Sequence, residues 1–262
     1  MKSKNSIQLQ YLGCSAFVFT DPGGTSLAID LWTKGAFPYA EDTPEDLRLG
    51  EPPSFSALLV SHDHKDHCFV PPGVPVIYGV KSKKVDDTSH LCQVGDIAIG
   101  KFSSQHFATD AKRPKLNTVF VLTVAGVKVV HLGDAHGTMA DKAQLRELKQ
   151  KIGNVDVLLV PIGSPWMKPV DLVTLDQTIG ILAPRLSIPM HYWKLTDKTA
   201  VLSGLSGQGY RVIDAEGNSI ELCADHLSEP GSKVIWNVPA GDSGLSHKID
   251  NFHPCLNSPN WK

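Results

Sequence analysis

Ala57-Leu58-Leu59-Val60-Ser61-His62-Asp63-His64-Lys65-Asp66-His67 is the stretch on which the fold turns. Its first four residues are an unbroken apolar run of the length and kind that form a strand buried on both faces. Directly after it come four metal-capable side chains, His62, His64, Asp66 and His67. So compact a polar group suits no hydrophobic core, but at the mouth of a strand it suits a metal pair. Side chains alternate along extended backbone, so His62 and His64 point the same way and can share one ion. Asp66 and His67, past the turn, can reach a second. Imidazole and carboxylate donors suit Zn, Fe or Mn rather than Ca.

Outward from this stretch, the first half of the chain reads as short strands and turns. Ile7 to Leu12, Ala16 to Thr20 and Ser26 to Leu31 are separated by Gly13-Cys14 and Asp21-Pro22-Gly23-Gly24. Further strands are expected over Pro75 to Tyr78, His90 to Val94, Ile97 to Phe102, Thr118 to Val124 and Val127 to Leu132. The last two should form a hairpin through Ala125-Gly126. From Trp32 to Phe55 runs a loop with Pro38, Pro44, Pro52 and Pro53 and no clear period.

After residue 133 the pattern becomes α/β. Met139 to Ile152 and Val170 to Ala183 carry helical apolar stripes, ended by Gly153 and Pro184. Val155 to Val160 and Leu186 to Trp193 read as buried strands. Gly204-Leu205-Ser206-Gly207-Gln208-Gly209 has the wrong spacing for a dinucleotide fingerprint and reads as a loop. The expected organisation is one domain over 1–223, then a polar Gly/Pro/Ser-rich extension over 224–262, either a strapped-on arm or partly disordered.

Bulk properties narrow the function classes. The 262 residues, 42% hydrophobic and 20% charged, match an ordinary globular protein with a sizeable core. A net charge of −2 gives no electrostatic case for nucleic acid. With no signal-peptide pattern and no run long enough to span a bilayer, a cytoplasmic enzyme is the expectation. Five cysteines, Cys14, Cys68, Cys92, Cys223 and Cys255, are odd in number and widely spaced, against a disulfide scaffold. Cys14 and Cys68 are candidates to approach the metal cluster. No nucleophile elbow or P-loop is present.

A metal pair needs more ligands than the cluster supplies. His106, Asp134 and His191 each follow an apolar run, where α/β sheets place their ligand sites. His62-x-His64-x-Asp66-His67, then His106, Gly133-Asp134 and His191, resemble the metallo-β-lactamase superfamily in type, order and approximate spacing, over about residues 7 to 222. Tyr11-Leu12-Gly13, Leu27-Ala28-Ile29-Asp30, Pro161-Ile162-Gly163 and Pro189-Met190-His191-Tyr192 look like the branch of metal-dependent hydrolases related to bacterial ascorbate-6-phosphate lactonase.

The resemblance implies an α/β fold of αββα type, two facing mixed sheets flanked by helices, with the site at one edge of the two sheets. It implies that His62, His64 and His106 hold one metal, that Asp66, His67 and His191 hold the other, and that Asp134 bridges them. Two divalent ions, Zn first and Mn or Fe as alternatives, are the implied cofactors. Asp66 and Asp134 are the catalytic candidates, with His131 and His136 available to orient ligands. His64 stands where flavodiiron relatives have Glu, which favours the hydrolytic members. Cys14 stands where many relatives of the branch have His, and Cys68-Phe69 replaces a small or aliphatic pair.

The expected activity is hydrolysis of a lactone or related ester, phosphorylated or not, by a metal-activated water. The alternatives are a phosphodiesterase of the same superfamily and a metal-binding protein without turnover. A structural Zn site closes with four ligands, so a seven-ligand set argues against the last. The expected partner is a small molecule, anionic if Lys112-Arg113-Pro114-Lys115 or Lys194 overhangs the pocket. No nucleic acid and no membrane span are expected. A homo-oligomer is open, with the 224–262 tail as a candidate exchange arm.

Overall fold

A computed structural model describes residues 6–32, 54–80, 84–106, 116–163, 169–192, 195–227 and 229–237. These residues form two mixed sheets and four α-helices. The six-stranded sheet contains β1 (Ser6–Gly13), β2 (Ala16–Thr20), β3 (Ser26–Ile29), β4 (Ala57–Val60), β5 (Val76–Tyr78) and β13 (Ser219–Cys223). Its strand order is β13-β1-β2-β3-β4-β5. The strands from β13 to β3 are antiparallel, and β3, β4 and β5 are parallel.

The eight-stranded sheet contains β6 (Thr88–Val94), β7 (Ile97–Gln105), β8 (Leu116–Val124), β9 (Val127–His131), β10 (Val157–Pro161), β11 (Leu186–Met190), β12 (Arg211–Asp214) and β14 (Val234–Asn237). Its order is β12-β14-β11-β10-β9-β8-β7-β6. The β8–β9 hairpin forms as expected, and the left-handed φ of Ala125 (50°) and Gly126 (75°) gives its turn the twist that hairpins favour. β4, β10 and β11 are buried along their whole length, as their apolar runs require.

Alternation along β2 shows how the layers are filled. Phe17 and Phe19 join the main core between the sheets. Ala16 and Val18 face the other way, into a smaller core with Leu31, Trp32, Cys68 and Phe69. The helices are α1 (His136–Met139), α2 (Lys142–Ile152), α3 (Leu172–Leu182) and α4 (Leu195–Gly207). α1 and α2 pack against β7, α4 against β12, and α2 and α3 against each other. No helix among the described residues is long and apolar enough to cross a membrane.

Four expectations are corrected. The helix read over Met139 to Ile152 breaks at Ala140-Asp141, because Asp141 leaves helical backbone to cap α2, accepting from the N–H groups of Ala143 and Gln144. The glycine-rich segment from Gly204 belongs to α4 as far as Gly207. A Cβ on Gly204 would meet the tip of the Leu172 side chain, so the glycine leaves α3 and α4 room to lie close there. The strand read to Trp193 ends at Met190, where His191 turns to φ 53°. The break placed after residue 223 precedes a further strand: β14 lies between β11 and β12, with Ile235 fully buried. The rest of the tail, the Pro-rich loop over 33–53, Lys112 to Lys115 and Lys194 lie outside the described residues.

Candidate metal centre

All seven ligand candidates stand at strand ends on one edge of the two sheets. β3 and β4 are parallel neighbours, so Asp30 and Ser61 leave the six-stranded sheet side by side. The turn after β4 is closed by the His67 N–H on the His64 carbonyl at 2.9 Å. From the other sheet come His106 after β7, Asp134 after β9 and His191 after β11.

Their donor atoms form two groups, His62, His64, His106 and Asp134, and Asp66, His67, Asp134 and His191, each with all its donors within 4.8 Å of one another. The Asp134 carboxylate is split between them. Its Oδ2 lies 3.0 Å from His106 Nε2 and 3.7 Å from His62 Nε2. Its Oδ1 lies 3.0 Å from His191 Nε2 and 3.4 Å from His67 Nε2. Asp66 Oδ2 completes the second group, 3.3 Å from His191 Nε2 and 3.6 Å from His67 Nε2. In the first group the His64 ring stands 4.6 Å from that of His62 and 4.5 Å from that of His106.

The donors fit divalent cations. His62 Nε2 is buried and makes no hydrogen bond among the described residues. Orphaned buried lone pairs are costly, and a cation satisfies them. On His62, His67, His106 and His191 the ring nitrogen that faces Asp134 is Nε2, and in three of these the Nδ1 is engaged behind. Asp30 Oδ2 accepts from the Ser61 hydroxyl at 2.7 Å and from His67 Nδ1 at 2.9 Å. The Ser61 oxygen, its proton given to Asp30, accepts from His62 Nδ1 at 3.0 Å. His191 Nδ1 donates to the Gly163 carbonyl at 2.5 Å. Such outer partners fix the tautomer and orientation of a ligating imidazole.

The electrostatics are those of a charged site out of water. Burial opposes ionisation of Asp134, yet His191 and His67 outweigh it and hold the carboxyl well below the ordinary range. Asp66 is lowered against burial by His67 and His191. Burial likewise opposes a proton on His67 and His191, but Asp134, with Asp66 and Asp30 at His67, pushes both well above the ordinary histidine value. His62 goes the other way, well below, through burial and the charge of His67.

Asp134 is held by groups that the sequence did not single out. Asn117, fully buried, accepts from the Asp134 N–H at 3.0 Å and donates to the Leu132 carbonyl at 2.8 Å and Ser104 Oγ at 2.7 Å. Gly133, at φ 55°, has no room for a Cβ against Asn117. His131 is structural: Nε2 donates to the Ser15 carbonyl at 2.9 Å while Nδ1 accepts from the Gly133 N–H at 3.1 Å. His136 stands with its ring 5.9 Å from that of His191, its pKa pushed down to about 4 by burial.

Cys14 lies beside His191, its carbonyl accepting the His191 N–H at 2.7 Å. Cys14 and Cys68 are buried, and neither joins the two donor groups. Asp30 and Asn117 were missed. For Asp30 the available signal was an acid ending the apolar run Leu27-Ala28-Ile29. For Asn117 there was none, since one amide at a strand start is common.

Known proteins are similar to this chain in sequence or in fold. A UPF0173 metal-dependent hydrolase of Anaeromyxobacter dehalogenans is 28% identical over 219 residues, spanning 72% of this chain and 76% of that one. A Thermotoga maritima protein of the metallo-β-lactamase superfamily superposes with a TM-score of 0.55 at 22% identity, covering 88% of this chain and 99% of that one. The metallo hydrolase Igni18 of Ignicoccus hospitalis gives 0.53 at 19% identity, covering 83% and 98%. These structural likenesses speak for the fold. The family model for the β-lactamase superfamily domain matches residues 8–191, from β1 to the last histidine of the centre, and this chain belongs to that family.

Proposed function

We propose that the chain is a dinuclear metal-dependent hydrolase acting on a lactone or related carboxylic ester. The observation that carries this is the division of one carboxylate, Asp134, between two complete donor groups. The relatives named as metal-dependent hydrolases support the reaction class. The Pro189-Met190-His191-Tyr192 signature supports the ester and lactone branch over others.

His62, His64 and His106 would hold one ion, Asp66, His67 and His191 the other, with Asp134 common to both. Divalent ions bound there supply Lewis acidity and bring the pKa of a water towards neutrality. Asp134, ionised at neutral pH, keeps the two positions in register. Asp66 is also ionised and is the less enclosed of the two carboxylates, so it can orient the attacking water and accept its proton. His64, the one half-exposed member, marks the open side through which substrate arrives. The oxygen donors and neutral imidazoles favour Zn, with Mn and Fe as the alternatives.

The test is metal content per chain on protein purified without chelator, followed by turnover of a lactone panel with neutral and phosphorylated members beside bis-p-nitrophenyl phosphate. About two ions with lactone cleavage is the expected result. Cleavage of the phosphodiester alone would reassign the substrate class. No metal taken up from Zn or Mn, and no turnover, would reject the reading.

A further inference from the structure

The two donor groups are unequal, and the inequality bears on how the centre fills; this rests on the dinuclear reading above. Asp66, His67, Asp134 and His191 are all buried, and two of the four are carboxylates. The other group adds only imidazoles to the shared Asp134, and its His64 is half-exposed. What stands behind the imidazoles differs too. His67 is backed directly by the fully buried Asp30 carboxylate at 2.9 Å, and His191 by a carbonyl at 2.5 Å. His62 is backed by the neutral hydroxyl of Ser61.

A cation in the Asp66–His67–His191 position therefore meets three carboxylates, Asp66, Asp134 and Asp30, where the other position meets Asp134 first. Charges inside a protein are weakly screened, so this difference is felt in full.

We infer that the Asp66–His67–His191 position is the tight one and fills first, that the His62–His64–His106 position fills second and exchanges with solvent, and that Asp30 sets the difference. Loss of a carboxylate behind a ligating histidine typically weakens metal binding by about 10–100-fold. Asp30 is hard to replace even by its own amide. Oδ1 accepts the Ser61 N–H at 2.7 Å, and Oδ2 accepts both the Ser61 hydroxyl and His67 Nδ1. Three donors converge on it, so an amide turns its NH2 against one of them. Either His67 loses its orientation or the turn after β4 shifts.

Zinc titration of the metal-free full chain by calorimetry, with bound zinc counted by mass spectrometry, tests this without recourse to activity. Two steps are expected, the first tighter by roughly tenfold or more. His106→Gln should keep the first step and lose the second, while His191→Gln should lose the first. Asp30→Asn should weaken the first step by about 10–100-fold, with the circular dichroism of the metal-free chain unchanged. Two equal sites, or a tight step that survives His191→Gln and vanishes in His106→Gln, would overturn the filling order. A folded Asp30→Asn chain that binds its first zinc as tightly as the parent would overturn the role of Asp30. If that variant does not fold, the histidine pair still decides the order. Failure of the unaltered chain to take up any zinc would instead overturn the dinuclear reading, so the two failures are told apart.

Discussion

The two sheets serve one centre in opposite ways. The six-stranded sheet delivers His62, His64, Asp66 and His67 from a single turn after β4, with Asp30 beside them after β3. The eight-stranded sheet delivers His106, Asp134 and His191 one at a time, from the ends of β7, β9 and β11. The contiguous turn is fixed by short-range bonds, His67 N–H to the His64 carbonyl and Ser61 to Asp30. The scattered ligands depend on strand register and on separate braces, Asn117 for Asp134 and the Gly163 carbonyl for His191. The compact half should therefore be vulnerable at its ligands and at Asp30, and the distributed half also at residues that would touch no metal.

The largest effect is expected at Asp134, the one ligand candidate common to both groups. Asp134→Ala should reduce bound zinc from two per chain to one or fewer and lower turnover roughly a thousandfold, several kcal/mol of transition-state stabilisation. Metal analysis and ester turnover on the folded variant check this. Two retained ions at full turnover would break the comparison, because the eight-stranded sheet would then not be needed to join the halves.

Asn117→Ala comes next and tests whether the distributed half is held from outside. The Leu132 carbonyl and the Asp134 N–H would each lose a buried partner, which costs about 1–3 kcal/mol for each group left unsatisfied. Zinc affinity should fall about 10–100-fold, as for other outer partners of metal ligands. Lower thermal stability with unchanged zinc affinity would make Asn117 a structural brace only.

The third prediction joins the halves again, since the field at His67, from one sheet, is also the field at His191, from the other. In the metal-free chain both are raised, against burial, by Asp134 and its neighbours. A raised group stabilises fully below its unfolded pKa of about 6.5 and loses that contribution as pH rises through the folded value. His62, His131 and His136 are lowered by burial, so as pH falls below about 6.5 the unfolded chain takes up protons that the folded chain refuses. The melting temperature of the metal-free chain should therefore peak near pH 6.5, and saturating zinc should flatten the alkaline limb. A melting temperature still climbing from pH 7 to 9 without metal would contradict the shared field.

Legibility followed the same division. The run Ala57 to Val60 with its polar sequel could be read because a strand and its turn are local, and burial then fixes which way the side chains point. His106, Asp134 and His191 were legible only as polar residues after apolar runs, and their convergence came from the family resemblance. Strand order was not readable, because parallel neighbours such as β9, β10 and β11 are joined by register across long segments. β14 was hidden in a polar tail, since only Ile235 in it is fully buried. Gly204 misled in the opposite sense: a residue that usually weakens helices lies inside α4, where it faces the side chain of Leu172.

The smallest effect is expected at the far end of the distributed half. Arg185 precedes β11 and pairs with Asp156, which precedes β10, at 3.5 Å, and it also donates to the Leu227 carbonyl at 2.9 Å. Both side chains are partly exposed, where such a pair contributes about 0–1 kcal/mol and the hydrogen bond about 1 kcal/mol. Arg185→Ala should thus lower the melting temperature by about 2–4 °C per kcal/mol lost. Zinc affinity should stay within about twofold of the parent, because the β10–β11 register is set along its length by five paired positions, from Val157 with Leu186 to Pro161 with Met190. If zinc binding weakened instead, the register would be transmitting a disturbance from Arg185 to His191 along the whole of β11. The dependence of the scattered ligands on distant residues would then reach further than their immediate braces, and the contrast with the self-contained turn after β4 would be the sharper for it.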